Sequence, residues 1–135
     1  MGLRARLAAV VEDDTGSSPV EFVMVGALLT VLTLAVLQLG LAIYVRNLVH
    51  DAAVEGAYHA ALADTSLDEG AQRTHDIVSR TVGSEYAADI TVRESTSPGH
   101  PIVEVTVRTV LPLVGLLGAP RTLEVTAHAP VESFD

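Results

Sequence analysis

Residues 16–46 read GSSPVEFVMVGALLTVLTLAVLQLGLAIYVR, and no residue between Glu21 and Arg46 carries a formal charge. As a helix, the uncharged run from Phe22 to Val45 rises about 36 Å at ~1.5 Å per residue. That crosses a hydrocarbon core of ~30 Å with some tilt. The run is longer than the ~7–15-residue apolar core of a secretory signal and no Ala-x-Ala site directly follows it, so it reads as a retained anchor. A buried core helix is the competing explanation, but a helix apolar on every face needs a large protein around it. Of the 135 residues only about 90 lie outside the helix, enough for one small domain.

Net charge is −9 from 17 acidic and 8 basic residues, all of the latter arginines. Phosphate binding needs a basic patch, so nucleic acid is not expected as a partner. The lack of cysteine excludes disulfides, thiolate catalysis and cysteine-ligated zinc. His50, His59, His75, His100 and His128 are scattered without a His-x-x-x-His pair and read as surface or structural residues rather than metal ligands. With no Gly-x-Ser-x-Gly elbow, phosphate loop or dinucleotide fingerprint, the sequence points to no enzyme and to no cofactor or metal.

Arg4 and Arg6 precede the span and Arg46 follows it, which favours a cytoplasmic N-terminus and an extracytoplasmic C-terminal domain. The acidic cluster Glu12, Asp13 and Asp14 weighs little in that rule. Four residues separate Gly16 from Glu21, which stands at the threshold of the span. A glycine lets a protease approach the backbone closely. Pro19 suits a loop or first helical turn, where its missing N–H costs nothing. A carboxylate at the edge of hydrocarbon is costly unless compensated, which makes Glu21 a functional candidate. Equally open is a plain role at the positive end of the helix dipole, worth about 0.3–1 kcal/mol.

Glycine, fixed spacing, one acid and a clean span together resemble a type IV prepilin processing site. The opening Gly-Ser-Ser-Pro-Val-Glu-Phe-Val-Met-Val, the small-residue run Asp51 to Ala57 and a three-strand ending rich in valine and threonine look most like the TadE-like family of tight-adherence, or Flp-type, pilus systems. The resemblance implies that a prepilin peptidase cuts between Gly16 and Ser17. It also implies that Glu21 engages the new Ser17 amine of a neighbouring subunit, setting axial register. The implied protein is a minor pilin or pseudopilin-like structural subunit in pilus assembly and adhesion. Its partners would be membrane lipid, the peptidase, other pilin subunits and the assembly machinery. Two features depart from the broader pattern: the leader ends in acidic residues, and the cysteine pair of many larger pilins is absent. The competing functions are an uncleaved, membrane-tethered binding module and a type II secretion pseudopilin.

The expected fold is α+β: a leader over 1–16, a transmembrane helix and its extension over 17–63, and a small extracytoplasmic domain over 64–135. Ala52, Gly56 and Ala60 recur at four-residue spacing, as do Ala53, Ala57 and Ala61. Such stripes allow close helix approach within the domain or between subunits, or they mark a plain alanine-rich helix. After a break at Ala63 to Ser66, Ser66 and Glu69 predict a capping box and a second helix reaching about Val82. Leu67, Ala71, Thr74, Val78 and Val82 would form its inner face, and Gly83 would end it. Three strands are predicted around Ile90 and Val92, Val103 to Val107, and Leu123 to Ala129. The Ser97 to Pro101 turn should join the first two as a hairpin. The apolar Pro112 to Pro120 segment reads as local packing, with an exposed apolar patch as its alternative.

Overall fold

A computed structural model describes residues 17–111 and 122–133. The expectations for the leader, Gly16 included, and for Pro112 to Pro120 lie outside the described residues. The described elements are α1 (Ser17–Ala61), α2 (Leu67–Thr81), a 3₁₀ turn (Ser84–Ala87), β1 (Asp89–Ser97), β2 (His100–Val110) and β3 (Thr122–Pro130). The fold is α+β, with a long apolar N-terminal helix, a second helix and a three-stranded antiparallel sheet. The chain divides into two units at Leu37 and Gln38, and α1 contributes to both.

In the first unit every described residue is exposed. Thr30 and Thr33 donate their hydroxyls to the carbonyls of Gly26 and Leu29, both at 2.8 Å. Each bond gives a hydroxyl a partner four residues back on its own helix, where hydrocarbon would offer none.

The second unit is built from small and β-branched residues. Past Ala61 the chain breaks because Thr65 turns back on the helix end, its hydroxyl reaching the carbonyls of His59 and Leu62. The Ser66 hydroxyl then accepts from the Glu69 amide at 3.2 Å, and the Ser66 amide donates to the Glu69 carboxylate at 2.7 Å. This reciprocal box opens α2. At the other end Gly83, at φ +146, donates its amide to the Val78 carbonyl at 3.1 Å and closes the last turn. The inner face of α2 is centred on Gly70, Thr74 and Val78, while Leu67, Ala71 and Val82 are half-buried beside it. The predicted face is thus displaced toward Gly70, because the closest contact with α1 is made where α2 has no side chain.

Strand order is β1-β2-β3. Pro98 and Gly99, the latter at φ +89, turn β1 into β2 with the residue order of a type II turn. Val103, Val105 and Val107 alternate inward along β2, opposite Ala129, Ala127 and Val125 of β3. Ile90 and Val92 of β1 lie beside Val107 and Val105 and pack against the same core. The tail is fastened twice, by the Val131 amide on the Pro101 carbonyl at 3.1 Å and the Glu132 amide on the Ala61 carbonyl at 2.9 Å.

Two hydrogen bonds from Ser66, first its amide and then its hydroxyl, hold the exposed Glu69 carboxyl below its ordinary value. A lowered carboxylate stabilises the fold above its unfolded value and loses that contribution as pH falls through the folded one. The stability advantage of the wild type over Glu69→Gln should therefore be present at pH 7 and shrink below about pH 4.5, as followed by thermal unfolding with circular dichroism.

Candidate functional site

Three places bear on function: the start of α1, the small-residue stripe farther along it, and the outer face of the sheet. Ser17 is the first described residue and already lies in α1. One turn later Glu21 accepts a hydrogen bond from the Ser17 hydroxyl at 3.3 Å. The helix thus brings Ser17 and Glu21 to one face, as four-residue spacing dictates. Among the described residues Glu21 pairs with no arginine or histidine. Its carboxylate stands exposed at the head of an apolar run in which Phe22, Met24, Leu28, Leu32, Val36 and Leu39 are all more than half exposed. The helix is long and apolar enough to cross a membrane, and none of its most apolar 18-residue window is buried.

Farther along α1, Ala52, Gly56 and Ala60 are buried, and so are Ala53, Ala57 and Ala61. A Cβ at Gly56 would lie 1.8 Å from the Thr74 hydroxyl oxygen and 2.9 Å from the Gly70 carbonyl oxygen. A Cβ at Gly70 would lie 2.4 Å from that of Ala60 and 2.8 Å from the Gly56 carbonyl oxygen. The two helices therefore touch backbone to backbone, and the buried Thr74 hydroxyl donates to the Gly70 carbonyl at 3.0 Å. At the rim Arg73 pairs with Glu55 at 3.0 Å, both half exposed, a contact worth at most about 1 kcal/mol.

The outer sheet face carries charges in register. Arg93 pairs with Glu104, and His128 Nδ1 lies 3.6 Å from the same carboxylate. Four residues along β2, Arg108 binds Glu124 at 2.6 Å, and this hydrogen bond raises the guanidinium above its ordinary value. Between them the Thr106 and Thr126 hydroxyls bond at 3.2 Å. Sequence reading found the alternation but missed these pairs. The Pro98-Gly99 turn carries the signal for β1 against β2, whereas nothing local fixes β3. Among the described residues no group of three His, Asp or Glu side chains is placed to hold a metal ion.

Against known proteins, the family model described as TadE-like protein matches residues 16–57. No curated protein and no solved structure matches the chain. The matched segment opens on Gly16, contains Glu21 and the whole apolar run, and ends within the stripe just past Gly56.

Gly56→Ala should destabilise the second unit by about 1–3 kcal/mol, the usual cost of overpacking. Gly26→Ala, with nothing within 4 Å of the added carbon, should not. Chemical denaturation of the full chain in detergent, read by fluorescence of its three tyrosines, would distinguish them.

Proposed function

With residues 16–57 TadE-like as premise, we propose that the chain is a minor pilin or pseudopilin-like structural subunit of a tight-adherence pilus. It is made as a precursor and cut between Gly16 and Ser17 by a prepilin peptidase. The observation that carries this reading is the exposed, arginine-free Glu21 one turn from Ser17 at the head of an exposed apolar helix. An unpaired carboxylate at a membrane boundary is costly, and a cationic partner offsets the cost. Cleavage supplies such a partner as the Ser17 amine. Within one helix Ser17 and Glu21 are tied by the serine hydroxyl, which leaves the charged amine of one subunit available to the carboxylate of the next.

In this reading α1 anchors the protein with its N-terminus cytoplasmic and later packs among the helices of other subunits. The small α+β domain stays extracytoplasmic, where it takes part in assembly and adhesion. The protein is then a substrate of the peptidase and has no turnover of its own. Its partners are membrane lipid, the peptidase, other pilin subunits and the assembly machinery.

Intact-mass analysis of membrane-extracted protein from peptidase-positive and peptidase-deficient cells tests the cleavage. Loss of residues 1–16 in the former alone is expected. Retention of those residues in both would leave a membrane-tethered binding module instead. Glu21→Ala should leave cleavage and insertion intact while reducing recovery in sheared surface fractions several-fold. Unchanged recovery would confine Glu21 to the helix dipole.

A further inference from the structure

The outer face of the sheet is antisymmetric in charge about one row. Along β2 the outward residues are Ile102, Glu104, Thr106, Arg108 and Val110, so reversing the strand about Thr106 exchanges glutamate with arginine and isoleucine with valine. The flanking strands repeat this. Arg93 and His128 lie on either side of Glu104, and Asp89 and Glu124 on either side of Arg108. One row therefore reads plus, minus, plus when His128 is protonated, and the other reads minus, plus, minus. Thr91, Thr106 and Thr126 form the uncharged row between them.

From this pattern we propose that the outer sheet face is a docking surface for a second copy of the same chain. The two copies are related by a two-fold axis lying in the interface along the threonine row. That operation sets β2 of one copy over β2 of the other in the reverse direction. Glu104 then meets Arg108, Arg93 meets Asp89, His128 meets Glu124, and Ile102 meets Val110, each contact occurring twice as an isologous interface requires. A two-fold axis along the strands would instead place Glu104 over Glu104 and Arg108 over Arg108, and like charges reject it. Apolar Ile102 and Pro130 at one end meet Val110, itself 52% exposed, and Thr122 at the other.

Three strands ~4.8 Å wide and five rows ~6.8 Å deep give a face of about 14 by 34 Å. About 950 Å² would be buried over the two copies, below the ~1,200 Å² typical of stable interfaces. The pairing is accordingly weak in dilute solution and becomes significant where a membrane or an assembly raises the local concentration. It does not depend on how the leader is processed.

The test is cross-linking of the purified full-length chain in lipid vesicles with a short bis-maleimide. The chain has no cysteine of its own, so Thr106→Cys places a single thiol on the proposed axis and Ser84→Cys serves as an exposed control. A covalent dimer several-fold more abundant for Thr106→Cys is expected. In that background Arg108→Glu alone and Glu104→Arg alone should each lose the excess, because each sets like charges face to face. Mixing the two should restore it as a mixed dimer of intermediate mass, since glutamates then meet arginines at both positions. Circular dichroism establishes that each variant is folded, and Arg108→Gln, expected to lower the yield, replaces a charge reversal that does not fold. Yields for Thr106→Cys no higher than for Ser84→Cys would overturn the proposal. So would folded reversals that fail to rescue each other, or an Arg108→Gln yield equal to that of Thr106→Cys.

Discussion

Where α1 crosses α2, Gly56 and Gly70 each lie against the other's backbone, with the Thr74 and Ala60 side chains filling the remaining space, and the geometry of the small domain follows from that contact. The would-be Cβ of Gly56 falls inside the Thr74 hydroxyl, so the helices stand as close as their backbones allow. At this separation Ala52, Ala53, Ala57, Ala60 and Ala61 are all buried, although none is large. Among the described residues the buried apolar core is correspondingly made of valine and alanine with a single leucine, Leu123. With little area per side chain and no disulfide, its cohesion rests on packing density, which is why an added methyl group at the crossing is felt.

The same helix meets two environments. From Ser17 to Leu37 it is exposed on all sides and apolar nearly throughout, whereas from Val45 onward one side is buried under small residues and the other carries Asp51 and Glu55. The TadE-like match extends across both stretches, from Gly16 into the stripe. The features it groups are thus Gly16 and Glu21, the apolar run and the beginning of the surface on which the domain folds.

Much of this was legible in the sequence because it is governed by local rules. The span follows from the uncharged run, α2 from Ser66 and Glu69, and the hairpin from Pro98-Gly99, which pairs Ser97 with His100 and thereby Arg93 with Glu104. Contacts across longer separations were not legible. Gly70 gave no local sign that it faces Gly56, since the break between the helices leaves their rotation open. The expected inner face therefore left Gly70 out. The register of β3 depends on a connection of eleven residues, 111–121, so Arg108 with Glu124 and Thr106 with Thr126 emerged only from the structure. At the N-terminal site the sequence supplied the residues and their spacing. The structure added that Glu21 is exposed, with the Ser17 hydroxyl as its neighbour.

Among the described strands the pairing order leaves β1 and β3 outermost, and the two are unlike. On β1 the carboxylate of Glu94 stands in register with Val103, on the side of the sheet that faces the core, and is exposed at the margin of the described strands. An additional strand laid along β1 would trap that charge against apolar side chains, at a cost of several kcal/mol. On β3 the corresponding positions are Leu123, Val125, Ala127 and Ala129, which would tolerate such a neighbour. Widening of the sheet by further strands is therefore blocked along one margin by a single misplaced carboxylate, and only the opposite margin remains permissive.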